Sequence, residues 1–217
     1  MMKMTQASLL SALLLIVPVM FAQQSQFTTS EMQEPVYKFL IELYRAGQQE
    51  SMWNVPPQDG HLLQMLIKMS GAKNALEIGT SNGVSAIWIA LGLKETGGKL
   101  TTLEIDPVRA KLAQENFRQA GVDDRILLIE GDALKTLRTL TGTYDLVFID
   151  AAKSQYKQYL DLIYPRIPKG GIIIAHNAVQ SAASMRDYLE HVRNHPQLDT
   201  VILTTGIDGV ALSYKKL

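Results

Sequence analysis

Two polar segments in the second half of the chain have the residue types of a metal-binding or catalytic site. Asp150 ends one apolar run, and His176 and Asn177 follow the next one. Carboxylate, imidazole and amide groups are common ligands of divalent cations, so these three residues are candidate metal ligands with open positions for substrate oxygens. The alternative is that His176 and Asn177 only satisfy the backbone of their own loop.

Lys153 follows Asp150 closely and is a candidate catalytic base. A partly buried amine beside a metal ion releases its proton more readily than a free one, and it can then take the proton of a phenolic hydroxyl. In this interpretation Asp150 and Lys153 form the catalytic pair. A solvated lysine in a loop is the alternative.

A segment with two glycines, residues 76–83, has the pattern of a cofactor-binding turn. An apolar run passes through Glu77 and ends at Gly79 and Gly83, the spacing ExGxxxG, before a helical pattern begins. Glycines between a strand and a helix let the backbone approach a ligand closely. The GxGxxG spacing of dinucleotide dehydrogenases and the Lys-Ser/Thr pair of a P-loop are both missing. An acidic residue before the first glycine suits a positively charged ligand such as S-adenosylmethionine, whereas an ordinary strand-to-helix turn is the alternative.

Two further carboxylates follow the next strand-like segments. Glu104 ends one of them and is placed to accept hydrogen bonds from the ribose hydroxyls of an adenosine. Asp132 follows the other and could accept from the adenine amino group. The alternative for Asp132 is a helix N-cap, which can coexist with ligand binding.

The elements that must position these residues follow from an alternation of apolar runs and helical patterns. The alternation predicts a Rossmann-like α/β fold with a seven-stranded, mostly parallel sheet, helices on both faces and an antiparallel C-terminal strand. All the candidate residues fall at the carboxyl ends of strands, where such sheets bind ligands. The predicted strands are a run ending at 79 and segments 99–104, 125–130, 144–150, 172–175, 200–204 and 210–214; the predicted helices are 31–47, 62–71, 84–93, 107–120, a short one ending at 140, 156–164 and 184–193.

The segment 49–60, before the second helical pattern, is predicted to be an extended loop because it contains Pro56 and Pro57. Trp53 in this loop could be a lid over an aromatic substrate. A half-buried tryptophan that anchors the loop is an equal alternative.

Composition narrows the class of protein. With 217 residues, of which 47% are hydrophobic, the chain can bury the core of one domain, predicted at residues 31–217. The 21 basic and 21 acidic side chains cancel without a basic run, so no nucleic-acid partner is expected. The lack of cysteine excludes disulfides, zinc–thiolate sites and thiol nucleophiles.

The first 30 residues have a separate character. Lys3, an uncharged apolar segment at 7–22 and a polar run at 23–30 predict a signal peptide (1–22) followed by a polar linker. We therefore expect an exported protein, periplasmic or secreted, with no stable membrane partner once the signal is removed. An uncleaved anchor or a misassigned start codon is the alternative.

Taken together and in order, these motifs resemble the class I methyltransferase fold, and more narrowly the cation-dependent O-methyltransferase family that contains caffeoyl-CoA and catechol O-methyltransferases. The resemblance spans about residues 37–217. It implies that S-adenosylmethionine is the cofactor and that Asn54, Val55 and Gly60 belong to a loop closing over its methionine end. The implied cofactor-binding residues are Val55, Glu77, Gly79, Ser85 for the methionine carboxylate, Glu104 for the ribose and Asp132 for the adenine; the implied metal ligand and catalytic base are Asp150 and Lys153.

The chain departs from the family pattern at His176. The family has an adjacent Asp-Asn pair as further metal ligands, and here the pair is His176-Asn177. Imidazole in place of a carboxylate removes a negative charge and favours Mn²⁺ or another transition metal over Mg²⁺. The loop 178–184 lacks the aromatic insertion of the plant enzymes, so a coenzyme A thioester substrate is not supported.

The resemblance implies transfer of a methyl group to a hydroxyl of a small phenolic or catechol-like molecule. Divalent-metal assistance by Mg²⁺ or Mn²⁺ and a homodimer remain open. One alternative is a metal-independent methyltransferase for another small nucleophile. A second alternative is an exported binding protein without turnover. The donor S-adenosylmethionine is expected in the cytoplasm, so an exported enzyme would lack it. A third alternative is a nicotinamide oxidoreductase.

Overall fold

A seven-stranded sheet forms the centre of the computed structural model, which describes residues 34–50 and 52–217. The predicted signal peptide and polar linker lie outside the described residues. The strand order is β3-β2-β1-β4-β5-β7-β6. The strands are β1 Asn74–Ile78, β2 Lys99–Glu104, β3 Ile126–Glu130, β4 Leu146–Ile149, β5 Ile172–His176, β6 Leu198–Leu203 and β7 Val210–Lys215.

The predicted fold class is confirmed. The first five strands in this order pair in parallel, and β7 runs antiparallel to both of its neighbours, β5 and β6. From β1 the chain moves outward to β2 and β3, and it then returns to place β4 and β5 on the other side of β1. The strand order therefore reverses between β1 and β4, which is where sheets of this type bind ligands.

Helices cover both faces of the sheet because alternate residues of each buried strand point to opposite sides. Leu146 and Phe148 of β4 join one hydrophobic cluster, whereas Val147 and Ile149 join the other. The first cluster packs under α1 Pro35–Gln49, α2 Pro57–Ser70, α3 Val84–Thr96 and α4 Pro107–Ala120; the second packs under α5 Ala133–Thr139, α6 Tyr156–Ile163 and α7 Arg186–Asn194. None of the helices in the described part of the chain combines the length and apolarity needed to cross a membrane.

The start of α2 differs from the prediction. The helix begins at Pro57, whereas the sequence pattern placed residues 49–60 in an extended loop. Proline fits the first helical position because its fixed φ is helical and its missing N–H would have no partner there. Asp59 and Gly60 therefore lie in the first turn of α2, and both are buried.

Two strand leucines in different environments should contribute very differently to the free energy of unfolding. Leu76 of β1 is fully buried, whereas Leu127 of the edge strand β3 is 60% exposed. Leu76→Ala should lower the free energy of unfolding by about 2–5 kcal/mol because it leaves a cavity. Leu127→Ala, the same change in an exposed strand position, should cost within about 0.5 kcal/mol. Urea unfolding of the two variants checks this, and equal costs would contradict the described packing.

Candidate active site

The ends of β1 and β4 touch at the point where the strand order reverses. The Asp150 amide donates to the Ile78 carbonyl over 2.9 Å, and the Gly79 amide donates to the Leu103 carbonyl over 3.0 Å. Gly79 has a φ of +100°, and a Cβ on it would collide with the backbone carbonyl of Asp150. Only glycine allows this approach. The glycine turn and the Asp150–Lys153 segment are therefore adjacent.

The turn after β1 presents the N-terminus of α3. Gly83 is the N-cap of α3 with a φ of +93°, and no side chain caps the first turn. The first-turn N–H groups of a helix carry a partial positive charge and favour an anionic group. Ser85 lies in this first turn and is buried. This helix end therefore suits a ligand carboxylate, the role implied for Ser85.

Glu77 lies beneath the turn, with no exposed surface. One of its oxygens accepts a hydrogen bond from the Thr102 hydroxyl, and the other, Oε1, has no hydrogen-bond partner among the described residues. Burial raises the pKa of Glu77 to about 8. The buried oxygens Ser81 Oγ and Asn82 Oδ1 in the same turn also have no partner in the described part of the chain. Unsatisfied buried polar atoms are costly, so this group fits a polar ligand above the turn.

Glu104 is already fixed by the backbone. Its Oε2 accepts from the Ser81 amide over 2.7 Å, and its Oε1 accepts from the amides of Ile105 and Asp106, both over 3.0 Å. A carboxylate has about four acceptor positions, so three bonds leave one for a ligand hydroxyl. The sequence interpretation expected Glu104 to accept from both ribose hydroxyls, and this geometry has room for one.

Two other predicted cofactor residues have structural roles. Asp132 is the N-cap of α5 and accepts from the Lys135 amide over 3.0 Å. Val55 is 1% exposed and packs in the first hydrophobic cluster, so its side chain does not line an open surface. Ligand contacts by Asp132 and Val55 stay predictions.

The carboxylate of Asp150 is held on both oxygens. Lys153 Nζ donates to Oδ1 over 2.7 Å, and His176 Nδ1 lies 3.3 Å from Oδ2. Lys153 also donates to the hydroxyl of Tyr156 over 2.8 Å. Burial alone would raise the pKa of Asp150, but the His176 ring and the Lys153 ammonium hold it well below its usual range. Asp150 is therefore an anion between two cationic side chains.

A second carboxylate, which sequence reasoning missed, lies on the other side of His176. Asp59 Oδ2 is 3.0 Å from His176 Nε2, and the side chains of both residues are 3% exposed. Although burial opposes the charge, the carboxylates of Asp150 and Asp59 raise the pKa of His176 to about 10. Pro57 and an acidic residue after it are a recognisable helix start, but nothing in the sequence pairs Asp59 with a residue 117 positions away.

The predicted metal ligands Asp150, His176 and Asn177 all contact other side chains in this arrangement. The imidazole has a carboxylate beside each nitrogen, and both oxygens of Asp150 already face cationic groups. The side-chain amide of Asn177 donates to Gln180 and Asp208, both over 3.3 Å. Asn177 itself has a φ of +61°, which asparagine tolerates better than most residues. The structure thus brings Asp150, Lys153, His176 and Asn177 together, each in contact with other side chains. Asp59, His176 and Asp208 also have ligand atoms within 4.8 Å of one another, and metal binding by the predicted set stays a prediction.

A cavity of about 400 Å³ opens beside His176. Its volume falls within the range of small-molecule sites. Trp53, which is 75% exposed, lies at this cavity, as the lid interpretation requires. The cavity is lined mostly by polar and aromatic residues: Tyr44, Gln48, Met52, Trp53, Asn54, His176, Asn177, Gln180 and Asp208.

Comparisons with known proteins agree on one family. A family model described as O-methyltransferase matches residues 27–215. The chain is 37% identical over 175 residues to a catechol O-methyltransferase of Mycobacterium tuberculosis, covering 73% of this chain and 79% of that protein.

Solved structures give the same result. The O-methyltransferase of Bacillus cereus, solved in complex with S-adenosylhomocysteine, has a TM-score of 0.76 and 29% identity, covering 86% of this chain and 94% of that one. The O-methyltransferase TomG of Streptomyces achromogenes, involved in tomaymycin synthesis and solved with S-adenosylmethionine, has a TM-score of 0.74 and 26% identity over 83% of this chain and 90% of that one.

The raised pKa of Glu77 predicts a pH-dependent stability. The folded protein holds this proton up to about pH 8, whereas the unfolded chain releases it near 4.5. The contribution of Glu77 to the free energy of unfolding is therefore fully present below about pH 4.5 and is lost as the pH rises through 8. Glu77→Gln has no such proton. The stability of the wild type relative to this variant should fall across that pH range in urea unfolding, and a constant difference would contradict the buried, protonated state.

Proposed function

We infer that this chain, which belongs to the O-methyltransferase family and uses S-adenosylmethionine as its methyl donor, methylates a hydroxyl of a small phenolic or catechol-like molecule. The observation that carries this proposal is the contact between the glycine turn after β1 and the Asp150–Lys153 segment after β4. A donor on the turn would lie beside a lysine and a carboxylate that can hold an acceptor hydroxyl.

The residues around the turn fit the donor. Its carboxylate would lie at the N-terminus of α3 near Ser85, and its ribose would use the remaining acceptor position of Glu104. Glu77 Oε1, which has no hydrogen-bond partner among the described residues, would face the methionine end, and the positive charge there would favour the ionised form of Glu77. Gly79 keeps the turn close to Asp150, so the methyl group would be near the acceptor.

The cavity beside His176 is proposed to hold the acceptor. Tyr44 and Trp53 can contact an aromatic ring, and Asn54, Asn177 and Gln180 can bond to its polar substituents. His176 lines this cavity, and its Nδ1 lies 3.3 Å from Asp150 Oδ2, so one side chain separates the cavity from the Asp150–Lys153 pair. A single-ring phenol or catechol is therefore the acceptor class that we propose.

Asp150 and Lys153 are proposed to carry the proton chemistry. S-adenosylmethionine supplies a methyl group on a cationic sulfur that leaves as a neutral thioether. The Lys153 ammonium first gives up one proton to solvent, to which 19% of its side chain is exposed. The neutral Nζ then takes the proton of the acceptor hydroxyl as the O–CH₃ bond forms and the S–CH₃ bond breaks. Alignment of donor and acceptor by the protein can contribute roughly 7–11 kcal/mol of barrier reduction.

Closing the glycine turn should prevent donor binding. Gly79→Ala adds a Cβ that meets the Asp150 backbone, and it should abolish S-adenosylhomocysteine binding in isothermal titration calorimetry. Gly97→Ala is the matched control, because Gly97 also has a positive φ but a Cβ there has no neighbour within 4 Å. The control should bind normally despite a similar backbone strain. Normal binding by a folded Gly79→Ala variant would contradict the donor position.

Replacing the proposed base should stop turnover without affecting donor binding. Lys153→Met keeps the alkyl stem and should lower kcat for methyl transfer to catechol by about 10²–10⁴-fold, measured by mass spectrometry, with unchanged S-adenosylhomocysteine affinity. Lys157→Ala removes a partly exposed lysine that pairs with Asp161 on α6, and it should leave kcat unchanged. Full activity of Lys153→Met would contradict the base assignment. Wild-type transfer to amines or thiols, with none to phenols, would contradict the acceptor class.

A further inference from the structure

We propose that this protein transfers the methyl group without a divalent cation, because the His176 ring, positioned by Asp59, occupies the place at the ends of β4 and β5 where the sequence predicted a metal ion. The proposal deepens the proposed function and rests on it for its chemistry. Its ion-binding test needs no turnover.

The His176 ring is already in contact with two carboxylates. The His176 ring lies between two carboxylates, with Nε2 at 3.0 Å from Asp59 and Nδ1 at 3.3 Å from Asp150. A histidine binds a metal through an unprotonated ring nitrogen. An ion bound through Nε2 would displace the hydrogen bond to Asp59. An ion bound through Nδ1, which has no hydrogen-bond partner among the described residues, would lie against Asp150, whose other oxygen holds Lys153.

The carboxylates at this site already have basic side chains as partners. Two carboxylates, Asp59 and Asp150, meet two cationic side chains, Lys153 and His176, in a region where all four side chains are largely buried. Buried charges must be paired, and these four pair among themselves. A dication bound to Asp150 would lie close to the Lys153 ammonium, whose Nζ is 2.7 Å from Asp150 Oδ1, and this is unfavourable. Asp59, His176 and Asp208 each have one ligand atom within 4.8 Å of the others, which makes this group the alternative ion position that the experiment must test; Asp208 Oδ1 accepts from Asn177.

Asp59 is the positioning residue in this arrangement. It lies in the first turn of α2, far from β5 in sequence, and its Oδ2 bonds to His176. Through the ring it helps to fix Asp150, whose other oxygen holds Lys153.

Mn²⁺ binding by the wild type and by a His176→Asp variant tests the proposal. The wild-type protein, dialysed against EDTA, should retain full methyl transfer and should bind no Mn²⁺ in electron paramagnetic resonance titrations. His176→Asp would bring three carboxylates together, at positions 59, 150 and 176, and should bind Mn²⁺. His191→Asp makes the same change on α7, outside the site, and should bind none.

The positioning role of Asp59 can be tested by separate measurements of kcat and KM. Asp59→Asn preserves the shape of the side chain and should lower kcat while leaving the KM for S-adenosylmethionine unchanged; Asp59→Glu, which restores the carboxylate, should recover part of the loss. An Asp59→Asn variant with wild-type kcat would overturn its positioning role.

Three outcomes would overturn the proposal. One is Mn²⁺, Mg²⁺ or Zn²⁺ binding by the wild type that Asp59→Asn or Asp208→Asn removes, which would indicate an ion held by Asp59, His176 and Asp208. A second is loss of turnover in EDTA with recovery on adding a metal. The third is a folded His176→Asp variant that binds no Mn²⁺; if that variant does not fold, the two wild-type measurements decide. A wild type that binds no ion and methylates no acceptor would instead refute the proposed function.

Discussion

The carboxylate of Asp150 is the contact on which the site depends. Lys153 holds one of its oxygens, His176 lies against the other, and its backbone carbonyl lies where any side chain on Gly79 would have to go. One residue thus connects the glycine turn, the proposed base and the buried histidine. Removing Lys153 or His176 would leave one oxygen of the buried Asp150 carboxylate without its partner, which is costly for a buried charge.

The sheet explains why these groups meet. Parallel strands deliver their carboxyl ends to one edge, and the reversal of strand order opens a cleft between β1 and β4. The apolar residues of β4 fix the strand from both faces, so the position of Asp150 at its end is fixed by packing. Rigid strands therefore carry the polar groups, and α2 brings Asp59 to them from outside the sheet.

The fold class and much of the candidate site could be predicted from the sequence, because both depend on local patterns of apolar residues and glycines. The apolar run before Asp150 predicts a buried strand, and the glycines at 79 and 83 predict the turn, so the fold class and the neighbourhood of Asp150, Lys153 and His176 follow. What failed depends on tertiary contacts. The Pro56-Pro57 pair is compatible with both an extended loop and a helix start, and packing decided for the helix. The bond between Asp59 and His176 has no local signal in the sequence, so the buried carboxylate beside the predicted ligand His176 could not be predicted.

The central claim is that methyl transfer takes place over the junction of β1 and β4, beside an Asp150 held by side chains of the protein itself. A crystal structure of the protein with S-adenosylhomocysteine and catechol, grown in the presence of Mn²⁺, tests it most directly. We expect the sulfur above the glycine turn, a catechol oxygen within hydrogen-bond distance of Lys153 Nζ, and the His176 ring still between Asp59 and Asp150 with no Mn²⁺ bound to it. A ligand sulfur remote from Asp150, or a Mn²⁺ ion coordinated by His176, would contradict it.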